Sequence, residues 1–267
     1  MKMRSAVLRT MGLPAPYAQS RPVQIESVEL DPPGPGEVLL KIKVAGLCHS
    51  DLSVINGDRP RVMPLAMGHE SSGEVAEVGP GVSGLRAGDH VVTVFVPSCG
   101  DCTPCMSGRP ALCEPGARAN TVGELLGGGR RLRAGGEALN HHLGVSCFAE
   151  YAVVSTRSCV KVHAPLSHRE AALFGCAVLT GAGAVINRAH LKAGDAIAIV
   201  GLGGVGLSAL LAAVAAGARR VVAVEPDARK RDLAQTLGAT HVIDPRAMGT
   251  DADWLAAAGG AVDFGYD

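Results

Sequence analysis

The stretch Ala196-Ile-Ala-Ile-Val200-Gly201-Leu-Gly203-Gly204-Val205-Gly206-Leu-Ser-Ala-Leu210 decides the fold class of the second half of this chain. A short β-branched run breaks at four glycines and resumes as an Ala/Leu-rich helix. From Ala196 to Ala218 the sequence carries no charge, 23 residues in all, which is also the length of a membrane-spanning helix. The glycine cluster argues instead for a buried strand followed by a buried helix, because a parallel sheet is covered on both faces. Downstream the alternation continues. Strand-like runs fall at 221–225, 241–243 and 262–266, and helical segments at 204–217, 227–238 and 251–258. Such regularity predicts a doubly wound parallel sheet with helices on its faces.

Gly201, Gly203, Gly204, Val205 and Gly206 form the G-x-G-x-x-G turn of a dinucleotide site. Its glycines allow a tight turn and let a pyrophosphate approach the free N–H groups of the helix N-terminus. Glu225 closes the next strand, where a carboxylate holds the adenosine ribose hydroxyls and repels the extra phosphate of NADP. NAD is therefore the expected cofactor. Arg229, Lys230 and Arg231 follow closely and could offset that repulsion, with Lys230 taken as a further cofactor contact. Such a sheet usually has six strands, and this sequence stops at Asp267 in the fourth. The expectation is an incomplete Rossmann domain in a C-terminally truncated chain, one that folds poorly and is inactive until the missing strands are restored.

Working back toward the N-terminus, period-two runs at 38–44, 73–78 and 90–94 alternate with turn clusters such as Pro32-Pro33-Gly34-Pro35-Gly36, which reads as β-rich. Residues 115–145 are Gly- and Arg-rich without clear periodicity and read as loop. Ser167 and Glu170 form a capping-box signature for a helix at 168 onward. Apolar residues make up 47% of the chain, so a disordered polypeptide is excluded. Basic and acidic residues balance at 25 each, which offers no surface for nucleic acid or an anionic membrane. No signal peptide opens the sequence, so a cytoplasmic protein is expected.

Four of the eight cysteines crowd into fifteen residues, as Cys99-x2-Cys102-x2-Cys105-x7-Cys113. That spacing suits a closed tetrahedral zinc site. The bacterial ferredoxin run ends x3-Cys-Pro and matches poorly, and a reducing compartment disfavours disulfides. Cys147 and Cys159 read as ordinary buried thiols.

Cys48 with Asp51, Gly68-His69-Glu70, the four-cysteine lobe, Cys176 followed by Thr180-Gly181, and Gly201–Gly206 occur in an order that resembles the zinc-dependent medium-chain alcohol dehydrogenases across essentially the whole chain. The resemblance implies a GroES-like β-rich catalytic domain over 1–177, with a structural zinc lobe at about 97–115, and a Rossmann domain over 178–267. It further implies two zinc ions per chain, one structural and one catalytic. The catalytic ion would be held by Cys48, His69 and Cys176, with Asp51 bonded to the histidine ligand and Glu70 easing ligand exchange. Thr180 would lie beside the nicotinamide, His49 near the pyrophosphate, and Ser50 would take the substrate proton. Many members pass that proton to a histidine three residues on; here the position is Ser53.

The expected activity is NAD-dependent hydride transfer between a small alcohol and its aldehyde or ketone, by a homo-oligomeric full-length enzyme without nucleic-acid or membrane partners. Two alternatives stand beside it: an enzyme resembling glutathione-dependent formaldehyde dehydrogenase, and a non-catalytic protein that binds zinc and nucleotide. A zinc-free quinone reductase on the same fold lacks both cysteine sets. The formaldehyde-oxidising branch carries acidic side chains near positions 59 and 61, whereas this chain has Arg59 and Arg61.

Overall fold

A computed structural model describes all residues, 1–267. The chain divides into two compact units, Met1–Cys176 and Ala177–Asp267.

The first unit is β-rich. Strands β1 (Lys2–Leu8), β2 (Val23–Leu30), β4 (Leu65–Ala66), β7 (Leu132–Ala134) and β8 (Glu137–His141) close a small barrel in the order β1-β2-β7-β8-β4. Strands β3 (Glu37–Ala45), β5 (Ser71–Val78), β6 (His90–Thr93), β9 (Tyr151–Ser155) and β10 (Cys159–Lys161) form a second sheet, ordered β10-β6-β5-β3-β9. Alternation sends Val38, Leu40, Val75 and Val154 into one core beneath that sheet. The barrel is filled by Val7, Val28, Leu30, Leu132 and Leu139. Five helices punctuate this unit: α1 (Tyr17–Ser20), α2 (His49–Ile55), α3 (Thr103–Met106), α4 (Glu114–Val122) and α5 (His168–Ala172).

The expectation of a loop over 115–145 is corrected. That segment holds α4, β7 and β8. Helix α4 starts on Cys113 as its N-cap, takes Pro115 in its first turn, and stops at Gly123, whose φ of +73° supplies the left-handed residue that ends many helices. Strands β7 and β8 are joined by Gly135-Gly136 with φ of +57° and +87°. Two adjacent residues at positive φ make the two-residue hairpin turn that matches strand twist. Elsewhere the capping box forms as read: Ser167 accepts from Glu170 N–H at 3.3 Å and Glu170 Oε2 accepts from Ser167 N–H at 2.9 Å.

The second unit carries α6 (Ala177–Gly183), α7 (Gly204–Ala215), α8 (Ala228–Thr236) and α9 (Asp251–Ala257) around four parallel strands. These are β11 (Ala196–Val200), β12 (Arg220–Val224), β13 (His241–Ile243) and β14 (Phe264–Tyr266), ordered β13-β12-β11-β14. Ile197, Ile199, Leu210 and Val221 are at most 1% exposed in its core, each burial worth about 1.5–3 kcal/mol. The uncharged 23-residue stretch is thus strand β11 plus a 12-residue helix. No single helix is long and apolar enough to cross a membrane.

Buried histidines in the barrel wall give one measurable consequence. His141 is 1% exposed, accepts the Arg131 N–H on Nε2 at 3.1 Å, and faces Ser146 Oγ through Nδ1 at 3.4 Å. Accepting on Nε2 keeps the ring neutral. Burial, with Arg130 and Arg131 nearby, lowers its pKa to about 3. Because the folded value lies below the unfolded one of about 6.5, the unfolded chain binds the extra proton first. Stability should be intact above pH 6.5 and fall as pH drops from there toward 3, by a few kcal/mol in all. Denaturant melts of His141→Gln should show a shallower loss over this range than the parent protein; equal slopes would refute the assignment.

Candidate active site

Helix α2 builds the first half of the site. Cys48 is its N-cap, and Asp51 closes a capping box, with Oδ2 accepting the Cys48 N–H at 3.0 Å. The other oxygen, Oδ1, accepts from His69 Nδ1 at 3.0 Å. One carboxylate, 3% exposed, therefore orients two of the three expected ligands at once. It also fixes His69 with Nδ1 protonated and Nε2 turned away from it, which is how an outer carboxylate prepares an imidazole for a metal.

His69 follows Gly68, whose φ of +96° and crowding by Phe148 leave no room for a side chain. Cys176 follows Gly175, where a Cβ would strike the Thr93 carbonyl. Gly46 likewise vacates the space taken by the Glu70 carboxylate. These close approaches bring Cys48 and Cys176, 128 residues apart, to an Sγ–Sγ distance of 3.9 Å. Donor atoms of Cys48, His69, Glu70 and Cys176 lie within 4.8 Å of one another. Tetrahedral bonds of about 2.3 Å place sulfurs roughly 3.8 Å apart, so the donor set fits zinc.

The donors shift one another's protonation strongly. Hydrogen bonds from the Cys176 thiol and His69 pull the Cys48 pKa far below the ordinary thiol range, against burial. Cys176 is pushed the other way by Cys48 and burial. Burial raises Glu70, and the Cys48 thiolate adds to the rise. Burial works against a charged His69, but Asp51 and Cys48 outweigh it and raise its pKa to about 9. Phe95 meets the His69 ring edge-on at 5.7 Å and closes its apolar side.

One member was missed from sequence. His142, 1% exposed, packs edge-on to His69 at 5.3 Å, and its Nδ1 accepts the Gly68 N–H at 3.2 Å. It pins the backbone that carries His69. Its only sequence signal is the adjacent pair His141-His142. Ser50 stands on the first turn of α2 beside Cys48, and His49 is exposed next to it. The Ser53 hydroxyl donates to the His49 carbonyl at 3.2 Å, so the position of the relay histidine is occupied by a side chain turned onto its own helix.

The cysteine lobe forms a second, separate donor set. Cys99, Cys102, Cys105 and Cys113 bring their sulfurs within 4.8 Å of one another. Cys113 Sγ accepts N–H groups of Cys99 at 3.2 Å and Gly116 at 3.4 Å, and Cys99 Sγ accepts the Cys102 N–H at 3.3 Å. All eight cysteines are free thiols. Cys147 is buried, donating to the Glu70 carbonyl at 3.4 Å, while Cys159 is partly buried.

In the second unit the glycine turn caps α7 without a side-chain cap, leaving first-turn N–H groups free for an anion. Gly201 has φ +83°, and a Cβ at Gly206 would strike its carbonyl. At Gly201 and Gly203 a side chain would meet nothing within 4 Å, so both stand open to a ligand. Glu225 Oε2 accepts the Leu202 N–H at 2.8 Å and Oε1 the Asp227 N–H at 3.0 Å. Burial opposes its ionisation, but these two donors and Lys230 outweigh it and lower its pKa. Lys230 Nζ lies 3.7 Å from the same carboxylate. Thr180 is exposed on α6, and the adjoining Gly181 lets α6 approach the Val205 and Ala209 backbone of α7.

The chain matches a family described as "Alcohol dehydrogenase GroES-like domain" over residues 34–164 and another described as "Zinc-binding dehydrogenase" over 204–267. It is 39% identical to S-(hydroxymethyl)glutathione dehydrogenase of Escherichia coli O157:H7 over 246 residues, 92% of this chain and 64% of the relative's length. Among solved structures, an alcohol dehydrogenase zinc-binding domain protein from Burkholderia ambifaria superposes with a TM-score of 0.90 at 36% identity, covering 99% of this chain and 70% of the other. Benzyl alcohol dehydrogenase from Acinetobacter calcoaceticus gives 0.88 at 34% identity with the same coverage. The chain thus spans about 64% of the length of its S-(hydroxymethyl)glutathione dehydrogenase relatives. Together with the donor sets and the glycine turn, these matches establish that the chain belongs to the zinc-dependent medium-chain alcohol dehydrogenase family.

Proposed function

We propose that this protein contributes the zinc site and the nucleotide-binding turn of an NAD-dependent alcohol dehydrogenase. The observation that carries the reading is the convergence of Cys48, His69 and Cys176, with Asp51 bonded to both the Cys48 backbone and the His69 ring. When bound, zinc supplies a Lewis acid that lowers the pKa of a hydroxyl, and NAD supplies the hydride acceptor. The protein's residues do the rest. Asp51 keeps His69 in the ligating tautomer, and Ser50 receives the hydroxyl proton. With Ser53 turned onto the helix, that proton leaves to water or to the cofactor ribose. Glu70 sits beside the donor set as an exchangeable acid. Cys99, Cys102, Cys105 and Cys113 hold a second, structural ion.

On the cofactor side, Glu225 has a double role: it braces the glycine turn through Leu202 and keeps a lone pair for the ribose. Glu225→Ala should therefore weaken NAD binding about tenfold or more and narrow the preference over NADP. Titration of cofactor fluorescence would check this, and tighter binding of NADP than NAD by the parent protein would show that Arg229 to Arg231 dominate.

A glutathione adduct is the second substrate reading, favoured by relatives named S-(hydroxymethyl)glutathione dehydrogenase. Arg59 and Arg61 stand where that branch is expected to carry acidic groups, which sets this chain apart. Elemental analysis finding two zinc ions per chain, with NADH formed from simple alcohols once the chain is extended to its relatives' length, is the expected result. One zinc, or iron, would overturn the assignment.

A further inference from the structure

Two arginines near the zinc donor set have no carboxylate partner within the protein. Arg59 reaches Ser50 Oγ with Nη1 at 3.5 Å, the long limit of a hydrogen bond, and pairs with no carboxylate. Arg61 makes no hydrogen bond or ion pair, and its buried Nε is left without an acceptor. Burial and the neighbouring Arg59 both disfavour its charged form. Nearby acids are already engaged. Asp58 accepts from Asn56 Nδ2 at 2.7 Å, and Asp51 is shared between Cys48 and His69.

Two guanidinium groups repelling each other, one partly desolvated and unbonded, are costly unless something compensates them. The compensating group must accept several N–H bonds in a plane and carry negative charge. Carboxylate and phosphate do both, and the guanidinium fork matches them in two-point fashion.

We infer that Arg59 and Arg61 form an oxyanion subsite beside Ser50, so that the substrate is an alcohol or aldehyde carrying a carboxylate or phosphate group. This rests on the dehydrogenase reading of the same site and names its substrate class. The hydroxyl end would lie toward Ser50 and the donor set, and the anionic end against the arginines.

Calorimetric or saturation-transfer NMR titration of the zinc-supplemented protein tests it with three ligands of one shape. These are 4-(hydroxymethyl)benzoate, 4-(hydroxymethyl)phenyl phosphate and neutral 4-methylbenzyl alcohol. At least one anion should bind tenfold or more tightly than the neutral alcohol, and which one does separates carboxylate from phosphate. Arg61→Met should remove most of that preference, Arg61→Lys should restore part of it, and raised salt should shrink it. Arg59→Met serves as an independent variant should Arg61→Met fail to fold. Equal binding of all three, or no binding of either anion, would overturn the inference. A loss of NADH affinity in place of anion selectivity would reassign the pair to the cofactor pyrophosphate and overturn it equally. NAD-linked oxidation of 4-methylbenzyl alcohol without anion preference would sink this inference alone. Anion binding through the arginines with no NAD-linked oxidation would sink the dehydrogenase reading and leave the subsite standing.

Discussion

In a chain extended to its relatives' length, Cys176→Ser should lower the proposed alcohol turnover on the order of 10³-fold while the lobe keeps its metal. Polarising the substrate oxygen is worth several kcal/mol, and about 1.4 kcal/mol is a factor of ten. A hydroxyl in place of Sγ replaces a thiolate, which zinc takes readily, with a neutral donor at neutral pH. The rest of the site should hold, because Asp51 anchors Cys48 and His69 from α2 and does not touch Cys176. Metal content should fall from two zinc ions to one, and cobalt substitution should lose the thiolate absorption of one site only. Asp51→Asn makes a useful contrast. Losing one of its two acceptor oxygens and its charge should weaken metal affinity about 10- to 100-fold while leaving all ligands in place. If Cys176→Ser kept full turnover or both ions, the assignment of Cys176 would fall.

The second large effect concerns the lobe. Cys102→Ser should cost on the order of 3 kcal/mol or more, lowering Tm by roughly 10 °C, because binding energy at a closed zinc site is folding energy. Lobe helix α3 is only four residues long and has no buried residue, so apolar packing cannot replace the metal. The damage should spread to α4, whose N-cap is Cys113, the lobe's fully buried sulfur. Thermal melts with and without a chelator would measure it. Chelator should lower the Tm of the parent protein more than that of Cys102→Ser, which has only the Cys48, His69 and Cys176 ion left to lose. A variant as stable as the parent in both conditions would refute the structural role.

Local spacing carried much of this protein in its sequence. The glycine turn, its strand and its helix are contiguous, so their geometry follows from residue type alone, and the parallel alternation to β14 was legible. The lobe was equally legible, since four sulfurs within fifteen residues can reach one ion whatever surrounds them. The hairpin at Gly135-Gly136 is readable too, but neighbouring Gly127, Gly128 and Gly129 blur the strands' alternation, so the segment reads as loop.

Only the tertiary structure could decide the rest. Cys48, His69 and Cys176 are scattered, and no local rule says that Gly68 and Gly175 let them meet; the family resemblance supplied that link. Asp51 serving two ligands, His142 pinning Gly68, and Glu225 bracing Leu202 all depend on which backbone N–H comes to face a side chain after packing. The lack of a carboxylate partner for Arg59 and Arg61 is of the same kind. A sequence names a charged residue, but whether anything answers its charge is settled only when the chain has folded around it.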